Sequence, residues 1–154
     1  MVKVLFVLHL PPPLHGASQI GESLKNSKYI NHSISCSYIN LSTSKTIDDI
    51  GKGGYVKLFR YTFLLSQLFW RLLTWRPNFC YVTPTSAGLG FFKDIPVLGI
   101  IKIFGVKTIY HYHNKGINER SGRIIDNWLY RFAFRKAHVI LLSKYLYPDL
   151  FFKN

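Results

Sequence analysis

Five short apolar runs recur along the chain, and stretches long enough for helices separate them. The first, Val2 to His9, is almost continuous in Val and Leu, the pattern of a strand buried on both faces of a parallel sheet. The others are Ile34 to Leu41, about Phe79 to Thr83, Val106 to His113 and His138 to Ser143. Helical segments are expected from Gly16 to about Lys25, from Tyr55 to Trp75, from Asp94 to Phe104, and across "RIIDNWLYRFAFRKA". Pro77 stops the longest of these, Pro96 is tolerated in the first turn of the next, and Gly105 ends it. Pro11, Pro12 and Pro13 force a loop after the first strand, because proline enters neither a central strand nor a helix interior. Regular alternation of strand and helix predicts an α/β fold: a Rossmann-like, mostly parallel sheet with right-handed crossovers and helices on both faces.

At 154 residues the chain is one domain, and 48% hydrophobic content excludes a disordered chain. Cys36 and Cys80 stand far apart without a CxxC pattern, so they read as small buried residues of a reducing compartment. "MVKVLFVLHLPPP" lacks a small-residue cleavage site and is too short to span a bilayer. A cytoplasmic location follows as an expectation, with the inner face of the membrane as a peripheral site. Twenty Lys and Arg against seven Asp and Glu give a net charge of +13. That excess points to nucleic acid, anionic lipid or phosphorylated small molecules as partners. The basic residues are scattered, and no recognition-helix or RNA-binding motif is present, so nucleic acid is not expected.

In an open parallel sheet, ligands bind outside the carboxyl ends of the strands. The loops there carry His15, Gly16 and Ser18 after the first strand, Thr83 and Thr85 after the third, and His113, Asn114 and Lys115 after the fourth. Gly16 before a helix lets backbone approach a ligand, and the helix start favours an anion. The same "HGAS" also reads as a plain turn glycine with a capping serine. There is no G-x-G-x-x-G, no G-K-[ST] and no G-x-S-x-G, so a dinucleotide fingerprint, a P-loop and a serine triad are all excluded. The acids are too few and scattered for a paired-carboxylate hydrolase. His111 and His113 share a strand face, but no third metal ligand stands near them in sequence, and no metal is expected. His111 reads as packed or hydrogen-bonded. His113, last on its strand, is the candidate to bind a sugar hydroxyl or to act as acid or base.

The segment "LFRYTFLLSQLFWRLLTWR" is apolar around most of its circumference. It packs on the sheet with its arginines snorkelling to water, or it docks on anionic lipid through Arg60, Trp70, Arg71 and Trp75.

Together, "VKVLFVLHLPPPLHGAS", "VKTIYHYHNKG" and "RIIDNWLYRFAFRKAHVILLSKYL" resemble the N-terminal domain of family 4 glycosyltransferases, which have the GT-B fold. The likeness covers nearly all of residues 1–154, read as an acceptor-side domain incomplete at its C-terminal end. It implies a retaining transfer from a nucleotide-sugar co-substrate to a sugar or lipid-linked acceptor, in cell-surface polysaccharide or glycolipid synthesis. It implies no essential metal and no other cofactor. Gly16 would approach the donor phosphate or the acceptor, and His113 would contact the donor sugar near the reacting carbon. Where family loops often have Gly-Gly, this chain has His15-Gly16. The family's paired glutamates belong to a donor-binding half that this sequence does not contain, so the chain alone is expected to be inactive. The alternative is a non-enzymatic membrane- or acceptor-binding module serving a separate donor-domain subunit.

Overall fold

The computed structural model describes residues 1–44, 46 and 54–150. Most of the loop expected across "STSKTIDDIGKGG" lies outside the described residues. The elements run β1 (Lys3–Leu8), α1 (Gly16–Asn26), α2 (Lys28–Ser33), β2 (Ser35–Asn40), α3 (Tyr55–Trp75) and β3 (Phe79–Val82). Then follow α4 (Gly88–Ile103), β4 (Lys107–Tyr112), α5 (Ile117–Arg120), α6 (Ile124–Phe134), β5 (Ala137–Leu141) and a 3-10 helix, Lys144–Leu150. The strands form one five-stranded sheet in the order β2-β1-β3-β4-β5. Every pairing is parallel, with Val4 opposite both Cys36 and Phe79. The α/β, Rossmann-like expectation describes this fold.

Alternation along the strands divides the core. Leu5 and Val7 of β1, Cys80 and Val82 of β3, and Tyr110 and Tyr112 of β4 face α3, α4 and α6. From those helices come Leu64, Leu68, Leu72, Phe91, Leu98, Ile101 and Tyr130. Each fully buried leucine of this set contributes about 1.5–3 kcal/mol. On the other face, Val4, Phe6 and Leu8 pack with Leu24 of α1 and Ile30 of α2. Helices therefore lie on both faces.

Helix ends follow from local chemistry. His15 and Ser18 form a capping box at the start of α1, each side chain bonded to the other's backbone N–H. Arg76 takes the left-handed conformation (φ 50°) after α3, and Pro77 cannot continue the helix. One expectation needs correction. The helix placed at Asp94 begins at Gly88, so Pro96 lies in its interior rather than its first turn. Gly88, Gly90 and Pro96 are all poor helix formers, and packing overrides them. Phe92 and Pro96 are both exposed, so the break in hydrogen bonding that proline makes falls on the solvent side. The short helices α2 and α5 were not expected.

Candidate binding cleft at the switch point

From β1 the chain steps to β2 on one side, then crosses back to β3 on the other. The loops after β1 and β3 therefore diverge, which opens a crevice at the carboxyl ends of these strands. A cleft of about 840 Å³ occupies this place. His9, His15 and Gly16 line it from the β1 loop, Thr83 and Thr85 from the β3 loop, and His113 and Asn114 from the β4 loop. Lys57 and Tyr61 of α3, Lys93 of α4, and Ser42, Thr43 and Ser44 complete the wall. No Asp or Glu stands among these described lining residues.

The cleft gathers four of the sequence-predicted binding residues, His15, Gly16, Thr85 and Asn114, together with His113. It leaves out Ser18 and Lys115. Ser18 is fully buried, and its hydroxyl donates to the carbonyl of Pro13 or His15 while accepting the N–H of His15 at 2.9 Å. That makes it a cap rather than a ligand contact. Lys115 is exposed outside the wall, and its carbonyl accepts from Ser86 Oγ at 2.9 Å.

The imidazoles differ in their partners. His15 accepts the Ser18 N–H on Nδ1 at 3.4 Å, so its proton sits on Nε2. His9 Nδ1 is 3.3 Å from the Ser42 hydroxyl, and its backbone N–H donates to Thr83 Oγ1. Burial lowers the His9 pKa to about 3, with Lys93, His15 and His113 adding to the effect. His113 differs from both: among the described residues neither ring nitrogen has a hydrogen-bond partner, and both are buried at the cleft wall. Burial first, then His111 and His15, lowers its pKa to about 4. Burial also lowers the pKa of His15 and of His111. At neutral pH these rings are uncharged, each with one donor and one acceptor.

Behind His113, His111 points to the same sheet face and bonds through Nδ1 to the Tyr81 hydroxyl at 2.5 Å. Burial holds Tyr81 protonated, its pKa pushed up to about 12, so the phenol donates. The packed and hydrogen-bonded role expected for His111 fits this contact. Asp94, fully buried, accepts the Thr85 N–H at 2.8 Å and lies 3.5 Å from Lys93 Nζ. Burial raises the Asp94 pKa, and Lys93 and the Thr85 N–H oppose the rise. The Lys93 ammonium also donates to the Leu41 carbonyl at 3.4 Å, which holds it at the wall. Gly90 lets Thr85 sit close: a Cβ there would lie 2.7 Å from Thr85 Cγ2.

Sequence reasoning missed His9, Lys57, Tyr61 and Lys93 as parts of the wall. His9 could have been found, because it is the last residue of the first apolar run. The others reach the cleft from helices, and no local motif marks them. Among the described residues, no three His, Cys, Asp or Glu side chains gather where they could hold a metal ion. Of the residues considered for membrane contact, Trp70 and Arg71 are exposed. Arg60 is half-buried and donates to the Thr43 carbonyl, while Trp75 packs on the core beneath Lys3. No helix among the described residues is long and apolar enough to cross a membrane. Compared with protein-family models, with curated proteins and with solved structures, the chain has no match.

Proposed function

We propose that the chain is the acceptor-side domain of a retaining, nucleotide-sugar-dependent glycosyltransferase, and that the cleft holds a sugar-bearing ligand. The observation that carries this reading is His113, at the end of β4, whose buried ring nitrogens lack any partner among the described residues. A buried polar group without a partner costs about 1–3 kcal/mol, and a ligand hydroxyl reaching the ring would recover that cost. The rest of the wall supports the same ligand chemistry. Neutral imidazoles, the hydroxyls of Thr83, Thr85 and Ser42, and the Asn114 amide suit a polyol. Lys93 adds a cation toward a phosphate, although Asp94 offsets much of its charge.

A second reading, a binding module that presents its ligand to a catalytic partner subunit, rests on the absence of Asp and Glu from the described wall. The test is titration of the purified chain with nucleotide-sugars and with free and lipid-linked oligosaccharides, followed by the histidine side-chain NMR signals. A sugar that shifts His113, and that loses affinity about tenfold or more in His113→Ala, supports the proposal. If every sugar leaves the His113 signal unmoved, sugar binding at this cleft is wrong. In a mixture of the chain with a donor-domain subunit, His113→Ala separates the two readings: the first expects kcat to fall, and the second expects KM alone to rise.

A further inference from the structure

The helices α3, α4 and α6 form one layer, with α4 in contact with both neighbours. Their inner faces fill the main core, as amphipathic helices require. Their outer faces are apolar as well. On α3, Phe59 is 72% exposed, Phe63 63% and Trp70 64%. Phe92 and Ile103 continue the surface on α4, and Trp128, 66% exposed, does so on α6. A solvated helix layer normally turns polar residues outward, so this face is built against something other than water.

The charges around it select the occupant. The sequence has no Asp or Glu between residues 50 and 93, which includes all of α3. The acids of α4 and α6 are Asp94 and Asp126, and both are buried, beside Lys93 and Arg120 respectively. The exposed charges on these helices and at their ends are cations, Arg71, Arg76, Arg123 and Arg135 among them. Exposed aromatic side chains rimmed by cations, with no exposed acid among the described residues of these three helices, match the headgroup region of an anionic bilayer. A protein partner would more often bring matched charges of both signs. Because no helix of the described residues can cross a bilayer, the layer would lie on its surface.

We infer that the outer face of the α3–α4–α6 layer is a docking surface for a membrane rich in anionic lipid. Lys57 and Leu58 of α3 and Leu89 of α4 line the cleft at the same end of the layer. Docking therefore brings the cleft mouth to the lipid surface. This inference stands without the sugar reading, since it uses a different face of the molecule.

The test is co-sedimentation of the full chain with vesicles of phosphatidylcholine alone and of phosphatidylcholine mixed with phosphatidylglycerol, with tryptophan emission recorded in parallel. The expected result is association with the mixed vesicles that weakens with salt, with a blue shift from Trp70 and Trp128. The Phe63→Ser/Trp70→Ser/Trp128→Ser variant alters only exposed side chains and should keep its circular dichroism and Tm. Its partitioning should fall about tenfold or more. Arg71→Gln should lower partitioning roughly fivefold on the mixed vesicles alone. Absence of vesicle binding, or binding that the triple variant leaves unchanged, would overturn the inference. So would concentration-dependent self-association that the triple variant abolishes while the wild type ignores vesicles, because the occupant would then be a second copy. If the triple variant does not fold, Arg71→Gln and quenching of tryptophan by brominated lipid decide the matter.

Discussion

His113 rests its ring on that of His111, with centroids 4.2 Å apart and planes inclined by 44°. His111 is in turn held by the Tyr81 hydroxyl. The contact gives His113 a fixed backing without using either of its ring nitrogens. Tyr81→Phe should therefore loosen His111 and, through it, His113. The expected cost is about 0.5–1.5 kcal/mol in urea denaturation, with weaker sugar binding and a broadened His113 NMR signal. His113→Ala should differ, with a small stability change but a large loss of ligand affinity, because the side chain it removes makes no hydrogen bond to the described residues. Equal stability losses in the two variants would mean that His113 serves packing alone.

The lowered histidine pKa values predict how stability responds to acid. The pKa of His9 falls from 6.5 to about 3 and that of His113 from 6.5 to about 4. Above pH 6.5 both rings are neutral folded or unfolded, so they contribute no slope. Below it the unfolded chain binds protons that the folded chain refuses, and stability falls with pH until the folded values are reached. Each fully protected ring gives a slope of up to about 1.4 kcal/mol per pH unit. His113 lines the open cleft, so solvent screening reduces its share of that slope. Urea unfolding from pH 7 downward should show this decline, and His9→Gln should flatten it most. A curve that His9→Gln leaves unchanged would remove His9 as its source.

The strand runs and the long helix were legible because period and punctuation agree there: Tyr55 to Trp75 reads as a helix between Gly54 and Pro77. The start of α4 was not legible, since Gly88, Gly90 and Pro96 argue against a helix that burial of Phe91, Val97 and Leu98 then enforces. The region of the cleft followed from the rule for parallel sheets, which points to the loops after β1, β3 and β4. Its far wall did not follow, because Tyr61 and Lys93 reach it only through packing of α3 against α4. Ser18 was ambiguous for a local reason: the same hydroxyl that could bind a ligand caps its own helix.

Two glycines of α1 should respond in opposite ways. A Cβ on Gly21 would stand 2.1 Å from the His9 carbonyl oxygen, so α1 and the end of β1 meet at backbone distance. Gly21→Ala should cost about 1–3 kcal/mol and displace His9 from the cleft wall. A Cβ on Gly16 would meet no heavy atom within 4 Å. Gly16→Ala should therefore leave stability unchanged or raise it by about 0.4–1 kcal/mol. If a ligand does approach the backbone at Gly16, that variant will weaken binding while the fold holds. Thermal melts with parallel ligand titrations separate the two effects.

Asp149 supplies the last prediction. Its buried carboxylate accepts the N–H groups of Gly116, Ile117 and Asn118 at 3.0, 3.0 and 3.1 Å. These donors open α5, where Gly116 has a φ of 135° and cannot cap with a side chain. A residue in the C-terminal 3-10 helix thus fixes the loop that follows His113 and Asn114. Asp149→Ala strands three donors, two of them in fully buried residues, at a cost of about 2–4 kcal/mol. The amides of residues 116–118 should lose hydrogen-exchange protection before the sheet does, and affinity at the cleft should fall with them. If those amides stay protected in Asp149→Ala, the loop is held by its own packing. The burial of Ile117 and the Ser86–Lys115 hydrogen bond would then be what positions the His113 end of the cleft.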